Sequence, residues 1–308
     1  MPTLRQLEYL VAVADAKHFG RAAAAVNVSQ PTLSQQLRTL EARLGVVLIE
    51  RGDSPVQLTP IGREIAQRAR QILIGVDDVR GLAKRAVSGL AGAIRFGVTP
   101  TLGPYLMPAV VASLHGEYRD MRLFMREGIP DEQLADLRRG ALDMLLAPLP
   151  VSGADLHIEP LFREPLCLVA APDNALFAKP RLRKADMAGV GVLSLDPRHH
   201  FHRQAVEICG DLNAELLRDY EGTSLDSLRQ MAGSGIGLAI LPELYLRSEV
   251  GGEDMVRRLD IADWSAERSI AAVWRRGAAW ADSYRMIAQA IAAQAHAMMG
   301  TKDAMPLR

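Results

Sequence analysis

Cysteine is scarce in this chain: Cys167 and Cys209 are the two in 308 residues. That is too few for a disulfide framework and fits a reducing compartment. Long uncharged apolar runs are missing as well, and the opening MPTLRQLEYLVAVADAKHFG carries acids and a lysine inside its apolar stretch. Both features argue against a membrane span or an export signal and predict a cytoplasmic protein with no membrane partner. Net charge is absent, with 36 Lys+Arg against 36 Asp+Glu, so the charge of the whole chain argues neither for nor against a nucleic-acid partner. Neither an internal repeat nor a low-complexity segment occurs. What is present is an ordinary globular composition, 49% apolar and 23% charged, long enough for two or three domains.

The charge is unevenly spread. Residues 1–90 hold twelve Lys or Arg against eight Asp or Glu, and the remaining 218 carry the opposite imbalance. A basic head on a neutral body is the footprint of a nucleic-acid-binding module, provided a motif supports it.

The first 90 residues repeat apolar positions at three- and four-residue spacing and read as helix. At Gly89-Leu90-Ala91-Gly92 the periodicity breaks, and short apolar strands then alternate with helical segments, near 93–98, 121–126, 143–148, 164–171, 190–195, 215–220, 236–241 and 269–275. This rhythm predicts an α/β body with a mostly parallel sheet. About 210 residues suit two small lobes, with the crossing at Glu159-Pro160-Leu161-Phe162-Arg163-Glu164-Pro165 and a ligand cleft between them. Between head and body, Pro60 fits the first turn of a long helix capped by Thr59. Its apolar residues Ile61, Ile65, Ala69, Ile72, Val76, Val79, Ala83 and Ala86 form a narrow seam near the coiled-coil period, which calls for a partner helix.

Residues 19–44 carry the sharpest signal. The run Arg21-Ala22-Ala23-Ala24-Ala25 is followed by a short turn, Val26-Asn27-Val28-Ser29, and then by a second helical run from Gln30 to Glu41. Ser29 can cap that run, Pro31 suits its first turn, and Leu33, Leu37, Leu40 and Leu44 share one face. Opposite the leucines stand Gln30, Thr32, Ser34, Gln35, Arg38 and Thr39, with no carboxylate before Glu41. A merely solvated face would mix Glu with Lys; this one suits a DNA groove, because Gln and Arg make bidentate contacts to purine edges while Ser and Thr reach phosphates or bases. Residues 46–58 read as two short strands around Arg51-Gly52-Asp53-Ser54-Pro55, a wing that would bring Arg51 to the phosphate backbone.

In combination, Phe19, the alanine run, Ser29-Gln30-Pro31, Leu40-Glu41, Leu44-Gly45 and Leu58-Thr59-Pro60-Ile61-Gly62 resemble the winged helix-turn-helix of LysR-type transcriptional regulators. The resemblance implies a winged helix-turn-helix at 1–59, a linker (dimerisation) helix at 60–89, and two Rossmann-like α/β lobes similar to a periplasmic binding protein. It divides the body into 90–162 with 267–300 as the first lobe and 163–266 as the second. It also implies pairing through the linker, assembly of dimers into tetramers, double-stranded DNA as a partner and a small-molecule or anionic effector between the lobes. Ser29, Gln30, Pro31, Thr32, Ser34, Gln35, Arg38 and Arg51 are the expected DNA-binding residues.

Within that family the body resembles the peroxide-sensing OxyR branch, through Pro100-Thr101-Leu102-Gly103-Pro104-Tyr105-Leu106-Met107-Pro108, Pro160-Leu161-Phe162-Arg163-Glu164-Pro165 and Thr223-Ser224-Leu225-Asp226-Ser227-Leu228-Arg229-Gln230-Met231. The branch's reactive cysteine follows a histidine and a second cysteine lies nine positions later. Here the matching positions are His199, His200 and Cys209. Imidazole forms neither a sulfenic acid nor a disulfide, so the thiol switch cannot run through this pair. One threonine of the branch's peroxide pocket matches Thr101, and the other falls on Pro130, which has no hydroxyl. Hence the expected effector site is Thr101, Pro130, His199, His200, Phe201 and Thr223, with His200 meeting an anion. Control by a small ligand is the leading reading, and an oxidant response by a non-standard route, with Cys209 as the residue concerned, is the alternative.

Other functions fit less well. Adjacent His199 and His200 face different ways on a helix; His199 and His202 could share an ion, but no further ligand supports them, so no metal or other cofactor is expected. Gly233-Ser234-Gly235-Ile236-Gly237 precedes a strand rather than following one, unlike a nucleotide loop, and no catalytic signature argues for an enzyme. A transport solute-binding protein would share the lobes but not the head. Replacing Gln35 or Arg38 by Ala is expected to weaken binding to the operator by ~1–3 kcal/mol per lost base contact and to relax base preference. Titrations against operator and scrambled duplexes check this; unchanged binding would remove the second helix from the groove.

Overall fold

The structure is a computed structural model that describes residues 1–50, 56–88, 92–119, 121–222, 224–250 and 255–300. It divides into two units, Met1–Val87 and Ser88–Arg308.

In the first unit α1 (Leu4–Ala16), α2 (Phe19–Ala25) and α3 (Gln30–Leu44) each begin with a side-chain cap. The Thr3 hydroxyl accepts from the Gln6 amide while the Gln6 side chain returns to Thr3, His18 Nδ1 accepts from the amides of Gly20 and Arg21, and Ser29 accepts from Thr32. These caps satisfy N–H groups that have no partner within the helix. Leu33, Leu37 and Leu40 are buried against Leu10, Val13, Ala22 and Ala23, and α3 ends at Gly45, whose φ of 69° is one a side chain would resist. Among the described residues, the two wing strands expected across 46–58 pair at one antiparallel bridge, Ile49 with Leu58. Glu41 supplies the reason: its carboxylate accepts from the amides of Leu48 (2.8 Å) and Ile49 (3.2 Å), groups otherwise available to a longer ladder. Arg51 and the rest of the expected tip lie outside the described residues.

α4 (Pro60–Ser88) is anchored to this head. Thr59 Oγ1 accepts from the Gly62 amide (2.9 Å) and donates to the Val47 carbonyl (2.8 Å). A Cβ on Gly62 would stand 2.0 Å from the Leu48 carbonyl oxygen, so the close approach of helix to chain requires glycine. The expected seam divides: Ile65 and Ala69 turn inward onto the head, with Ala66 beside them, whereas Ile61, Ile72 and Val79 are 41%, 48% and 65% exposed.

The second unit is a mixed sheet with helices. Its elements are β1 (Gly92–Val98), α5 (Gly103–Glu117), β2 (Met121–Glu127), α6 (Pro130–Arg138), β3 (Met144–Pro148), β4 (Leu156–Ala170), β5 (Gly191–Leu195), α7 (His200–Leu212), β6 (Glu215–Gly222), α8 (Leu225–Gly233), β7 (Leu238–Pro242), α9 (Glu243–Glu249), β8 (Arg257–Arg258), β9 (Ala266–Arg275) and α10 (Ala281–Met299). The strand order is β2-β1-β3-β9-β4-β7-β5-β6, with β8 on β4. Both ends are parallel, β2-β1-β3 and β7-β5-β6, and each forms the sheet of one lobe. The centre is antiparallel, contrary to a mostly parallel reading, because the chain that leaves the first lobe along β4 must return along β9. A register shift between Pro160 and Phe162 marks the crossing. Inward residues there alternate as Phe162, Glu164, Leu166 on β4, and Glu164 pairs directly with Arg268 on β9.

Gly62→Ala is expected to lower the stability of the full chain by ~1–3 kcal/mol through the backbone clash. Gly75→Ala in the same helix, where a Cβ meets nothing within 4 Å, should instead raise it by ~0.5–1 kcal/mol. Denaturant titration of the two variants checks the contrast; equal effects would mean that the approach at Gly62 is not tight.

Candidate functional site

Two regions collect the expected residues, one in each unit. In the head, Ser29, Gln30, Pro31, Thr32, Gln35 and Arg38 are exposed and Ser34 is half-buried, all on the side of α3 away from its leucines. Ser29 is occupied as the cap, 2.7 Å from Thr32 Oγ1, and Thr39 donates back to the Gln35 carbonyl. Gln30, Gln35 and Arg38 therefore present the long hydrogen-bonding groups of this face. Its first turn has no acidic residue, which leaves the helix N-terminus open to a phosphate.

In the body the centre is a group of buried charges that the sequence reading did not single out. Arg268 and Glu164 are both fully buried and joined at 2.7–2.8 Å through Arg268 Nη2 and Nε. Arg268 Nη1 donates to Thr101 Oγ1 (2.8 Å) and Nη2 to the Thr101 carbonyl (2.9 Å), just before α5 of the first lobe. The second Glu164 oxygen accepts from the Leu244 amide (2.9 Å) at the start of α9 in the second lobe. Charge-assisted bonds on every side repay the desolvation of both ions, and removing either partner would strand a buried charge. The signal for this pair was an acid and a base at inward positions of two alternating strands, but their register is known only once the strands are paired.

Beside the pair lies a cavity of about 440 Å³, lined among others by Leu149, Pro150, Leu166, His200, Gln204 and Ile208. Of the expected effector residues within the described chain, His200 alone lines it. Thr101 is held by Arg268 behind the wall, and Phe201 is buried with its ring 5.6 Å from the guanidinium. Pro130 is buried as the first residue of α6, His199 is the half-buried residue preceding α7, and Thr223 lies outside the described residues. The helical repeat explains the selection: His200, Arg203, Gln204, Glu207 and Ile208 follow the three- and four-residue spacing of one face, which His199 and Phe201 do not. Gln204 is a lining residue that the sequence reading missed.

His200 is 91% buried by its 9% exposure, and its Nδ1 has no partner; the same is true of Gln204 Oε1. Burial pushes the His200 imidazole down to about 4, with the Arg203 and Arg268 cations acting in the same direction against Asp131, so the ring is uncharged near neutrality. His202 shares its Nδ1 with Ser194 Oγ and the Leu195 carbonyl, both at 3.0 Å, which ties it to its own strand end rather than to His199. Among the described residues no group of three His, Cys, Asp or Glu side chains is placed to hold a metal. Cys209 is buried on the inner face of α7 and burial pushes its thiol up to about 11; Cys167 faces Glu243 at 3.5 Å and burial raises it to about 12. Neither is a thiolate at neutral pH.

A helix-turn-helix carrying an acid-free polar face, with a two-lobed α/β body holding a lined cavity, defines a DNA-binding transcriptional regulator with an effector domain. Residues 4–63 match the bacterial regulatory helix-turn-helix protein, lysR family, and residues 88–294 match the LysR substrate binding domain. The chain belongs to the LysR family of transcriptional regulators. It is 35% identical over 292 residues to the DNA-binding transcriptional dual regulator OxyR of Escherichia coli K12, covering 94% of this chain and 95% of that protein. It is 33% identical to the hydrogen peroxide-inducible genes activator of Haemophilus influenzae, covering 94% and 95%. Among solved structures, a full-length OxyR variant from Pseudomonas aeruginosa superposes with a TM-score of 0.75 at 32% identity, covering 95% of this chain and 98% of that one. A hydrogen peroxide-bound OxyR variant from Corynebacterium glutamicum gives 0.66 at 29%, covering 97% and 94%.

The depressed His200 sets a pH window. Between pH 6.5 and about 4 the unfolded imidazole binds a proton that the folded one refuses, so this contribution to stability is present above 6.5 and is lost as the pH falls toward 4. Denaturant titration at pH 7 and 4.5 should show the difference between the two pH values shrink by roughly 2 kcal/mol in His200→Gln. An unchanged difference would mean that the ring is solvated.

Proposed function

We propose that this regulator is a cytoplasmic protein that binds operator DNA as a dimer or tetramer and alters that binding when a small molecule occupies the cavity beneath α7. Gln30, Thr32, Ser34, Gln35 and Arg38 read or position the groove, Ser29 and Pro31 set the start of the helix that does so, and Arg51 meets the backbone from the wing. The outward residues Ile61, Ile72 and Val79 on α4 support pairing through this helix, since an exposed apolar stripe on a long helix is stabilised by a second one. No helix among the described residues is long and apolar enough to cross a membrane.

The observation that carries the ligand reading is the cavity of about 440 Å³ beside the Glu164–Arg268 pair, where Leu149, Pro150, Leu166 and Ile208 supply apolar surface together with His200 and Gln204. A concave site with a few polar groups among apolar side chains is suited to a bound molecule. Thr101, Pro130, His199 and Phe201 would then shape or support the site from around it. Occupancy shifts the body between arrangements by as much as the ligand prefers one of them, and DNA binding responds by the same coupling.

An oxidant response is the second reading, favoured by the activators of hydrogen peroxide-inducible genes among the relatives. It would need a route other than a thiolate pair, given His200 and the raised Cys209. A nuclease footprint of the reduced protein on the DNA upstream of its own gene, with and without low peroxide, separates the two. A footprint unchanged by peroxide is expected; one that shortens or shifts would establish oxidant sensing and make Cys209 the next residue to replace.

A further inference from the structure

We propose that Gln6, a buried residue of α1, is a positioning residue for base recognition: its side-chain amide fixes the rotation of α3 about that helix's own axis. This rests on the reading of α3 as the helix that faces the groove.

Gln6 is 2% exposed, and its side chain meets α3 at two places. Nε2 donates to Gln36 Oε1 (3.1 Å), and Oε1 accepts from Arg43 Nη1 (3.2 Å). The same Oε1 accepts from the Thr3 amide (3.2 Å), while the Thr3 hydroxyl accepts from the Gln6 backbone amide (3.2 Å). The side chain is thereby tied to the start of its own helix while it holds the neighbouring one. Gln36 and Arg43 stand about two turns and roughly 10 Å apart along α3, so they lie on nearly one line of its surface. Arg43 Nη1 also donates to the Met1 carbonyl (3.0 Å), a further tie to the chain that enters α1.

The leucines do not set this rotation by themselves. Leu33, Leu37 and Leu40 are buried in the core of the head, but apolar burial is non-directional and tolerates a helix that has turned a little. Hydrogen bonds are directional, and two of them on one line, made by a buried amide that must keep its partners, resist turning. Successive residues step round the helix by about 100°, which puts Arg38 about 200° from Gln36. The helix is held on one side and reads on the other. A turn of about 10° moves groups at the helix surface, roughly 6 Å from the axis, by about 1 Å. That exceeds the ~0.5 Å within which a recognition contact must be held. Attraction between cations and phosphates is far less sensitive to such a shift. Losing the hold of Gln6 therefore shows in the choice among sequences rather than in affinity for DNA as such.

The test uses the full-length protein, the duplex that it selects from a random-sequence library, and a scrambled duplex of the same composition. Gln6→Met keeps the volume and removes both polar atoms. It should weaken binding to the selected duplex about tenfold, the scale of one base contact, while binding to the scrambled duplex stays within about twofold and keeps its salt dependence. Gln6→Glu retains acceptor oxygens for Thr3, Arg43 and a turned Gln36 amide, and should hold selection to within about twofold of the parent. Equal losses on both duplexes, or a Glu variant that selects no better than the Met variant, would reduce Gln6 to a support of the fold and overturn the proposal. So would a Met variant that binds both duplexes as the parent does. Arg38→Ala, measured beside these, separates the two readings. If it lowers selection and Gln6→Met does not, the positioning role alone falls; if it leaves selection unchanged, the groove assignment of α3 falls and takes this proposal with it.

Discussion

The ion pair between Glu164 and Arg268 is the constraint around which the body is organised. It lies where the two strands joining the lobes run side by side, and its free hydrogen-bonding positions reach Thr101 before α5 in one direction and Leu244 in α9 in the other. A buried pair of this kind is a weak source of net stability, because desolvation offsets most of the attraction, but a strong source of specificity: strand register, lobe and helix start must all be correct for both charges to be satisfied. The same satisfaction engages Arg268 where it lines the neighbouring cavity, whose wall also carries Arg203, Glu207 and Glu267.

Much of this was legible in the sequence. The leucine spacing of 33, 37 and 40, the cap at Ser29 and the turn before it gave the recognition fold, because local contacts at helical spacing are written locally. Thr59 and Pro60 likewise announced α4. In the body the strands and helices were visible as alternating runs, while β4 proved longer than expected, 156–170, and α9 passed unnoticed directly after β7. What escaped was long-range: Glu164 and Arg268 are 104 residues apart, and no local pattern states that they meet. The effector residues were placed by likeness of sequence stretch, yet the α-helical repeat brings His200 together with Gln204 rather than with Phe201 or His199. Cys209, the residue named for an oxidant response, is buried on the inner face of α7, a position that local sequence does not state.

The imidazole at position 200 also separates scaffold from chemistry. Nine residues of helix separate it from Cys209, about 13 Å along the axis and on the opposite side, so the two side chains serve different surroundings: one a cavity wall, the other the packed core. Relatives named as activators of hydrogen peroxide-inducible genes match nearly the whole chain in sequence. In this chain the thiols of Cys167 and Cys209 are both enclosed, and burial raises both above the range of a reactive thiolate.

The missing side chain at Gly62 has a mechanical meaning. With Leu48 pressed against the helix backbone there, and Ala66 and Ala69 buried one and two turns further on, the first turns of α4 have no slack against the domain that holds α3. The joint behaves as a weld and not as a hinge. Twisting the first turns of α4 about the helix axis therefore carries with it the domain that holds α3 and the side chains that face the groove.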